Sequence, residues 1–364
     1  MRLVLFFTKG MSLDLWMKTG LFEREVALYE RLTEKGVKIS FLTYGNSSEI
    51  RFKNRLPGIN ILYNRWRLPK FLYSIFLHHL HRSSLKSCDL IKTNQMKGAD
   101  LALRCADYWD KPLICRMGYM WSEFVNYDNG SSDKEMLIEN KLFRSSQSIT
   151  VTTDEMKKKI LNRIPRLSKK IFVIPNYVDT TSFCPNPSIK KEFDILFVGR
   201  LVEQKNIIGL LDSISVLNVK VMIVGAGELD SLIKNELKKS NCKISWLQNI
   251  SNNSLPSLMN RSSIFILPSH YEGHPKTIIE AMACGMPVIG ANSPGIKEII
   301  NHGHNGYLCE TNSDSIKSAI EALLINPSMC QFLGKNARKY TVEKFSLDKI
   351  AKVEYEQYKT VLQN

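Results

Sequence analysis

Glu272-Gly273-His274-Pro275-Lys276-Thr277-Ile278-Ile279-Glu280 runs directly into Ala281-Met282-Ala283-Cys284-Gly285-Met286-Pro287-Val288-Ile289. The apolar run Ile264–Leu267 ahead of it reads as a buried strand, so Glu272 ends the loop that follows. Glu280 falls inside the next helix, about two turns on at 3.6 residues per turn. Gly285 and Pro287 stop that helix, and Val288-Ile289 opens another strand. The N–H groups at the start of such a helix favour an anion, while carboxylates accept from hydroxyls. The stretch therefore suits a ligand that carries both phosphate and sugar hydroxyls. The plain alternative is a surface helix with two solvated glutamates. The small side chains after Glu280 and the Gly-x-Pro loop after a buried strand argue against it.

The same alternation extends in both directions and predicts an α/β protein with parallel sheets. Leu3–Phe7 and Val37–Tyr44 read as strands around a helix over Leu21–Lys35 that Gly36 caps. Leu90–Lys92, Leu113–Cys115, Ile149–Thr152 and Ile171–Ile174 read as further strands. A second series follows: strand Asp194–Val198, helix Ile207–Leu217, strand Val219–Val224, helix Leu229–Lys239, strand Ile244–Leu247, helix Leu255–Asn260, then the opening segment. Val288–Gly290 and Gly306–Leu308 read as short strands. The polar segment Asp179–Lys191 reads as a linker. Two doubly wound domains are thus expected. The first would span 1–180 and the second 181–345, with a last helix over 346–364 whose apolar stripe is Ile350, Val353, Tyr358, Val361 and Leu362.

Three other segments of the second half can meet a nucleotide. Gly199-Arg200 through Lys205 follows a strand, at the end where open α/β sheets bind ligands. Arg200 offers a fork for phosphate and Lys205 a point charge; two ordinary cations on an exposed loop is the plain alternative. Val224-Gly225-Ala226-Gly227 is a Gly-x-Gly turn without a third glycine, so it reads equally as a tight strand-to-helix turn. Trp246-Leu247-Gln248 ends a strand. No Asp-x-Asp pair for a metal occurs, and Arg200, Lys205 and helix N-termini can neutralise an anionic ligand instead, so no metal or other cofactor is expected.

The stretch Glu272–Glu280, with Gly199, Arg200 and Lys205 upstream, resembles the signature of the retaining glycosyltransferases of family 4, also called glycosyl transferases group 1. The resemblance is specific over about residues 194–310 and looser over 1–180. It implies a GT-B fold, two Rossmann-like domains facing each other across a cleft, with the last helix crossing back to the first domain. It implies a nucleotide-sugar donor, a UDP- or GDP-sugar, held by Gly20, Gly199, Arg200, Lys205, Gly225, Leu247, Glu272, Gly273, His274, Pro275, Lys276, Thr277 and Glu280. Arg200, Lys205 and Glu272 would be catalytic, Glu280 would hold the ribose, and Leu247 would meet the base through its backbone. Family members carry two glycines before the first long helix; here Thr19 stands at the first and Gly20 at the second. They also carry a histidine after a central strand of the first domain. Here that strand runs into Arg116-Met117-Gly118-Tyr119, and Arg116, Gly118 and Tyr119, with Trp16 on the loop after the first strand, are the acceptor-side candidates. A structural ion pair is the equal alternative for Arg116.

The chain has 364 residues, enough for two cores, and 44% apolar content. Its eight cysteines show no zinc spacing or C-x-x-C pair, and read as reduced thiols of a cytoplasmic protein. The seven histidines form no Ser-His-Asp or Cys-His set. No apolar run approaches the ~20 residues that span a bilayer. The net charge of +15 is uneven. Residues 1–180 hold 30 Lys+Arg against 18 Asp+Glu, leaving 20 against 17 for the rest. Arg51–Cys88 has eight cations, three histidines and no acid, interleaved with aromatics. That mixture suits an anionic membrane surface, as a peripheral enzyme on the inner face would need. Ordinary core beside a solvated basic face is the alternative, and nucleic acid is the least favoured partner because no reading helix or RNA-binding signature occurs. The function read from the sequence is transfer of a sugar from a nucleotide-sugar to a hydroxyl of a glycan or lipid-linked acceptor, as in bacterial surface polysaccharide or glycolipid synthesis. The alternatives are another GT-B sugar-nucleotide enzyme, epimerase-like, and a basic nucleic-acid-binding protein.

Overall fold

The computed structural model describes residues 1–127, 131–238 and 243–363. Cys242 and the last residue of the helix expected over Leu229–Lys239 lie outside them. The chain divides into two units, Met1–Pro175 together with Ile350–Asn364, and Asn176–Lys349. The divisions fall at Pro175/Asn176 and Lys349/Ile350 rather than after residues 180 and 345. Asp179–Lys191 is not a linker. Phe183 is buried in the core of the second unit, the Arg338 guanidinium donates to the Thr180 and Phe183 carbonyls, and Asn186 N donates to Asn260 Oδ1 at 2.7 Å.

The first unit holds a seven-stranded parallel sheet of β1 (Arg2–Phe6), β2 (Lys38–Leu42), β3 (Ile59–Leu62), β4 (Leu90–Thr93), β5 (Leu113–Met117), β6 (Ser148–Val151) and β7 (Ile171–Val173), in the order β3-β2-β1-β4-β5-β6-β7. Strands β4, β5 and β6 are buried at every residue, because helices cover both faces of a parallel sheet. The helix Phe22–Glu34 shows why its sequence folds so. Phe22, Val26, Tyr29 and Leu32 repeat at helical spacing and are buried, and Glu23 and Glu25 occupy its first turn. Gly36 ends it at φ 81°, with Gly36 N donating to Thr33 O and Val37 N to Leu32 O.

The second unit holds a six-stranded parallel sheet of β8 (Phe193–Val198), β9 (Lys220–Val224), β10 (Lys243–Leu247), β11 (Ser262–Leu267), β12 (Val288–Ala291) and β13 (Tyr307–Cys309), in the order β10-β9-β8-β11-β12-β13. In both sheets the strand order reverses beside the first strand, between β1 and β4 and between β8 and β11. These reversals are the switch points of doubly wound sheets, where loops diverge and leave a crevice at the carboxyl ends of the strands.

Strand β3 lies inside the basic stretch and was not foreseen. Arg51–Cys88 is not one continuous surface: Phe52, Leu56, Ile59, Tyr73, Leu77 and Leu85 are core, while Phe71, Leu72 and Phe76 stand exposed on the helix Lys70–Leu80. The loop after β1 is also ordered rather than open. It forms the helix Leu13–Lys18, whose Leu13 and Trp16 are buried.

Candidate active site

The loops after β8 and β11, on either side of the switch point of the second sheet, are locked together. After β8, a 3-10 turn over Glu203–Lys205 leads to Asn206 at φ 52°, a left-handed conformation that Asn tolerates. Asn206 Nδ2 donates to Pro268 O at 3.1 Å and Thr311 O at 2.7 Å. His270 N donates to Gln204 O at 2.9 Å, and Gln204 Nε2 to Tyr271 O at 2.8 Å. Gln204 Oε1 in turn accepts from Arg200 Nη2 at 3.0 Å, which aims the exposed guanidinium along the same loop. Thus Gln204 and Asn206, absent from the sequence-derived set, hold its two cations in place. Their positions beside Lys205 were visible, but their partners lie up to 105 residues away.

Within this frame the Lys205 ammonium contacts Glu272 Oε1, and the two side chains are 13% and 8% exposed. Two residues read from separate motifs therefore meet. Pro294 O accepts from Glu272 N at 3.0 Å, and Gly295, at φ 79°, packs under the Glu272 and Gly273 carbonyls where a Cβ would collide. Asn176 Nδ2 donates to His274 O at 2.6 Å, and the His274 ring meets Phe345 edge-on. This fixes the loop as it enters the helix Lys276–Ala283. No side chain caps that helix at Pro275, so its N-terminal dipole faces the loop. Thr277 is half-buried in its first turn, and the Lys276 ammonium lies 5.1 Å from the Tyr177 ring centroid.

Glu280 is 1% exposed, and its Oε1 accepts from Asn252 Nδ2 at 3.1 Å. Asn252 was not foreseen, since nothing in a short polar turn marks a partner 28 residues away. The Gly-x-Gly turn packs against the loop after β8. Gly199 N donates to Val224 O at 3.0 Å, Gly225 N to Leu247 O at 2.8 Å, and Leu201 N to Ala226 O at 3.1 Å. Gly225 at φ 149° and Gly227 both lie where a Cβ would enter the carbonyl of Gly199 or Leu201. The Leu247 carbonyl is engaged by Gly225, and its side chain is exposed.

In the first unit the acceptor-side candidates separate. Trp16 is corrected outright: it is 2% exposed and stacks on Phe7 at 4.1 Å between ring centroids, with Phe41 edge-on. It is core because the helix Leu13–Lys18 turns it toward the sheet. Gly20, at φ 69°, ends that helix, with Gly20 N donating to Met17 O and Leu21 N to Trp16 O. Arg116 is 8% exposed, its Nη1 donating to Asn94 O at 3.3 Å. Gly118 N donates to Gln95 Oε1 at 2.8 Å, and Tyr119 packs on Phe124 at 4.4 Å. These three lie on and after β5, tied to the loop after β4 through Asn94 and Gln95.

A family model for "Glycosyl transferases group 1" matches residues 179–340, and one for "Glycosyltransferase Family 4" matches 26–182. The chain belongs to the group 1 glycosyltransferases. An uncharacterized glycosyltransferase of Methanocaldococcus jannaschii is 28% identical over 335 residues, 86% of this chain and 88% of that one. The UDP-Gal:alpha-D-GlcNAc-diphosphoundecaprenol alpha-1,3-galactosyltransferase of Escherichia coli is 32% identical over 206 residues, 50% of this chain and 51% of its own. Among solved structures, Anabaena HepE in complex with UDP and glucose superposes with a TM-score of 0.79 at 17% identity, covering 99% of this glycosyltransferase and 100% of HepE. The fold is therefore GT-B. Among the described residues no helix of this glycosyltransferase is long and apolar enough to cross a membrane.

Proposed function

We propose that this glycosyltransferase moves a sugar from a UDP- or GDP-sugar to a hydroxyl of a glycan or lipid-linked acceptor, with retention at the anomeric carbon and without a metal. The observation that carries the reading is the Lys205–Glu272 pair, held on two locked loops at a sheet switch point beside an uncapped helix N-terminus. Cations and helix N–H groups at that place are preorganised for a diphosphate whose charge grows as it departs. Arg200 and Lys205 neutralise it, Glu272 lies by the sugar and its phosphates, and Glu280 accepts from the ribose hydroxyls. With no covalent nucleophile assigned, the acceptor attacks on the face the diphosphate leaves, and the diphosphate takes its proton. The solved HepE complex with UDP and glucose supports a UDP-sugar donor, and the Escherichia coli relative, whose name states a diphosphoundecaprenol acceptor, supports a lipid-linked one.

Thermal-shift measurements against UDP-, GDP- and ADP-sugars test the donor, since a ligand that binds the folded state raises its melting temperature. No shift with any of them refutes the reading. Anomeric configuration of the product by NMR decides retention. Full turnover in chelator supports metal-free transfer; loss in chelator with rescue by Mg²⁺ overturns it. We place the enzyme at the cytoplasmic face of the membrane, docked by the cations and exposed aromatics of Arg51–Cys88. Failure of anionic vesicles to retain the protein at low salt overturns that location.

A further inference from the structure

The donor machinery leaves unused a cavity of about 800 Å³ in the first unit. It opens at the carboxyl ends of β1, β2 and β3, lined by the loops that follow them, from Gly10 to Lys18, from Tyr44 to Glu49 and from Asn64 to Lys70. Its two acids are already engaged. Asp14 pairs with Arg51 and accepts from Ser48 Oγ. The Glu49 carboxylate is buried and accepts from Leu13 N at 3.0 Å and Asp14 N at 3.1 Å, closing the N-terminus of the helix Leu13–Lys18. Burial raises the Glu49 pKa above the ordinary carboxylate range.

The cations Lys18, Arg67 and Lys70 also line the cavity, and all three are exposed. Among the described residues Arg67 and Lys70 make no ion pair. Arg67 sits on a built turn. Asn64 Nδ2 donates to Leu68 O at 2.6 Å and Asn64 Oδ1 accepts from Leu68 N at 3.1 Å. Arg67 itself is held at φ 54°. Lys70 begins the helix Lys70–Leu80, whose outer face exposes Phe71 at 73%, Leu72 at 37% and Phe76 at 47%. A cationic cavity thus continues directly into an apolar helix face.

We propose that this cavity binds the phosphate or diphosphate group of a lipid-linked acceptor, with the lipid chain lying along Phe71, Leu72 and Phe76. The assignment rests on the glycosyltransfer reading and names the acceptor class that reading leaves open. Arg67 supplies a planar fork that matches phosphate oxygens, and Lys70 and Lys18 supply point charges. An uncharged sugar acceptor would leave the charge of the cations unneutralised, and a free anion would not use the apolar face. One amphiphile uses both.

Calorimetric titration of the full chain with farnesyl diphosphate, inorganic diphosphate and farnesol, each below its micellar limit, tests the site. UDP is titrated first and kept saturating, so that the donor site is filled. Farnesyl diphosphate is expected to bind at least tenfold more tightly than either fragment. Arg67→Gly with Lys70→Gln should weaken it at least tenfold and leave UDP binding unchanged; glycine at 67 keeps the left-handed turn intact. Phe71→Ser with Phe76→Ser should weaken farnesyl diphosphate while leaving inorganic diphosphate unchanged. Equal binding of inorganic and farnesyl diphosphate, equal binding of farnesol, or indifference to the Arg67/Lys70 changes would each overturn the assignment. Absence of UDP binding in the first titration counts against the donor reading alone, because the farnesyl arms still score the cavity.

Discussion

The Lys205 ammonium lies against the Glu272 carboxylate, joining the loop after β8 to the loop after β11. On the proposed function, this half-buried cation exchanges part of its contact with the acid for the donor's diphosphate. Lys205→Ala is expected to lower kcat/KM by about 10²–10³-fold, the size of effect seen when one charge-stabilising donor is removed. It should also lower the melting temperature, because Glu272 is left partly buried without its cation. Adding Glu272→Gln should recover the lost melting temperature but not the activity. If the double variant regains turnover, Lys205 acts only to neutralise Glu272.

Gly225 turns at φ 149° with its α-carbon against the Gly199 carbonyl. A methyl group there must displace backbone, not a flexible side chain. Gly225→Ala is therefore expected to cost about 1–3 kcal/mol from the strained conformation alone, and to pull the loop of Arg200 and Lys205 out of register. Urea unfolding measures the first effect, and UDP affinity the second. Unchanged stability and affinity would show that the two loops part freely.

The Rossmann-like layers were legible because buried parallel strands are continuous apolar runs, and Leu3–Phe7 or Ile264–Leu267 can hardly be anything else. Ile59–Leu62 escaped because its apolar residues sit amid cations and read as part of a basic surface. Trp16 was misread for a related reason. Its neighbours Ser12, Asp14 and Lys18 are polar, and only the helix geometry reveals that Leu13 and Trp16 share the inward face. The candidate site residues of the second unit were legible as types in a pattern. That Lys205 and Glu272 touch, that Gln204 and Asn206 tie their loops, and that Asn252 meets Glu280 depends on contacts between residues 28 to 105 apart. No local pattern encodes those.

His81 offers a pH test of the first unit. It is 7% exposed, and its Nε2 lies 2.7 Å from the Tyr73 hydroxyl, which donates onward to Thr43 O at 3.2 Å. Burial, with the charge of Arg65 adding to it, lowers the His81 pKa to about 4 from 6.5. Between those values the unfolded chain binds the proton and the folded one does not, so the stability His81 contributes is present above pH 6.5 and is lost as pH falls toward 4. The loss amounts to about 3 kcal/mol at 1.36 kcal/mol per pKa unit. Urea unfolding of wild type and His81→Gln from pH 7 to pH 4 isolates it: the variant should show a shallower fall. Parallel curves would mean that the buried ring carries no such linkage.

The last helix is tied into the first unit by charge as well as by packing. Lys92, on β4, is fully buried, and its Nζ lies 2.6 Å from Glu354 Oε2 and 3.0 Å from the Tyr358 hydroxyl. Gln357, one residue before Tyr358, exchanges hydrogen bonds with Thr150 on β6 at 2.8 and 3.0 Å. Desolvation lowers the Lys92 pKa, and the Glu354 charge opposes that shift. Removing the acid leaves a buried ammonium against the Tyr358 hydroxyl and the Tyr29 ring, with no counter-charge from Glu354. Glu354→Leu is therefore expected to destabilise the fold by about 3–5 kcal/mol, the cost of breaking a buried pair from one side. Lys92→Met with Glu354→Leu should recover most of that loss, because two well-packed apolar side chains replace a buried ion pair at little net cost. Truncation after Lys349 should be worse than either, since it strands Lys92 and Thr150 together and uncovers the sheet. Chemical unfolding of the four proteins orders them; a single Glu354→Leu variant as stable as wild type would show that water reaches Lys92 once the acid is gone.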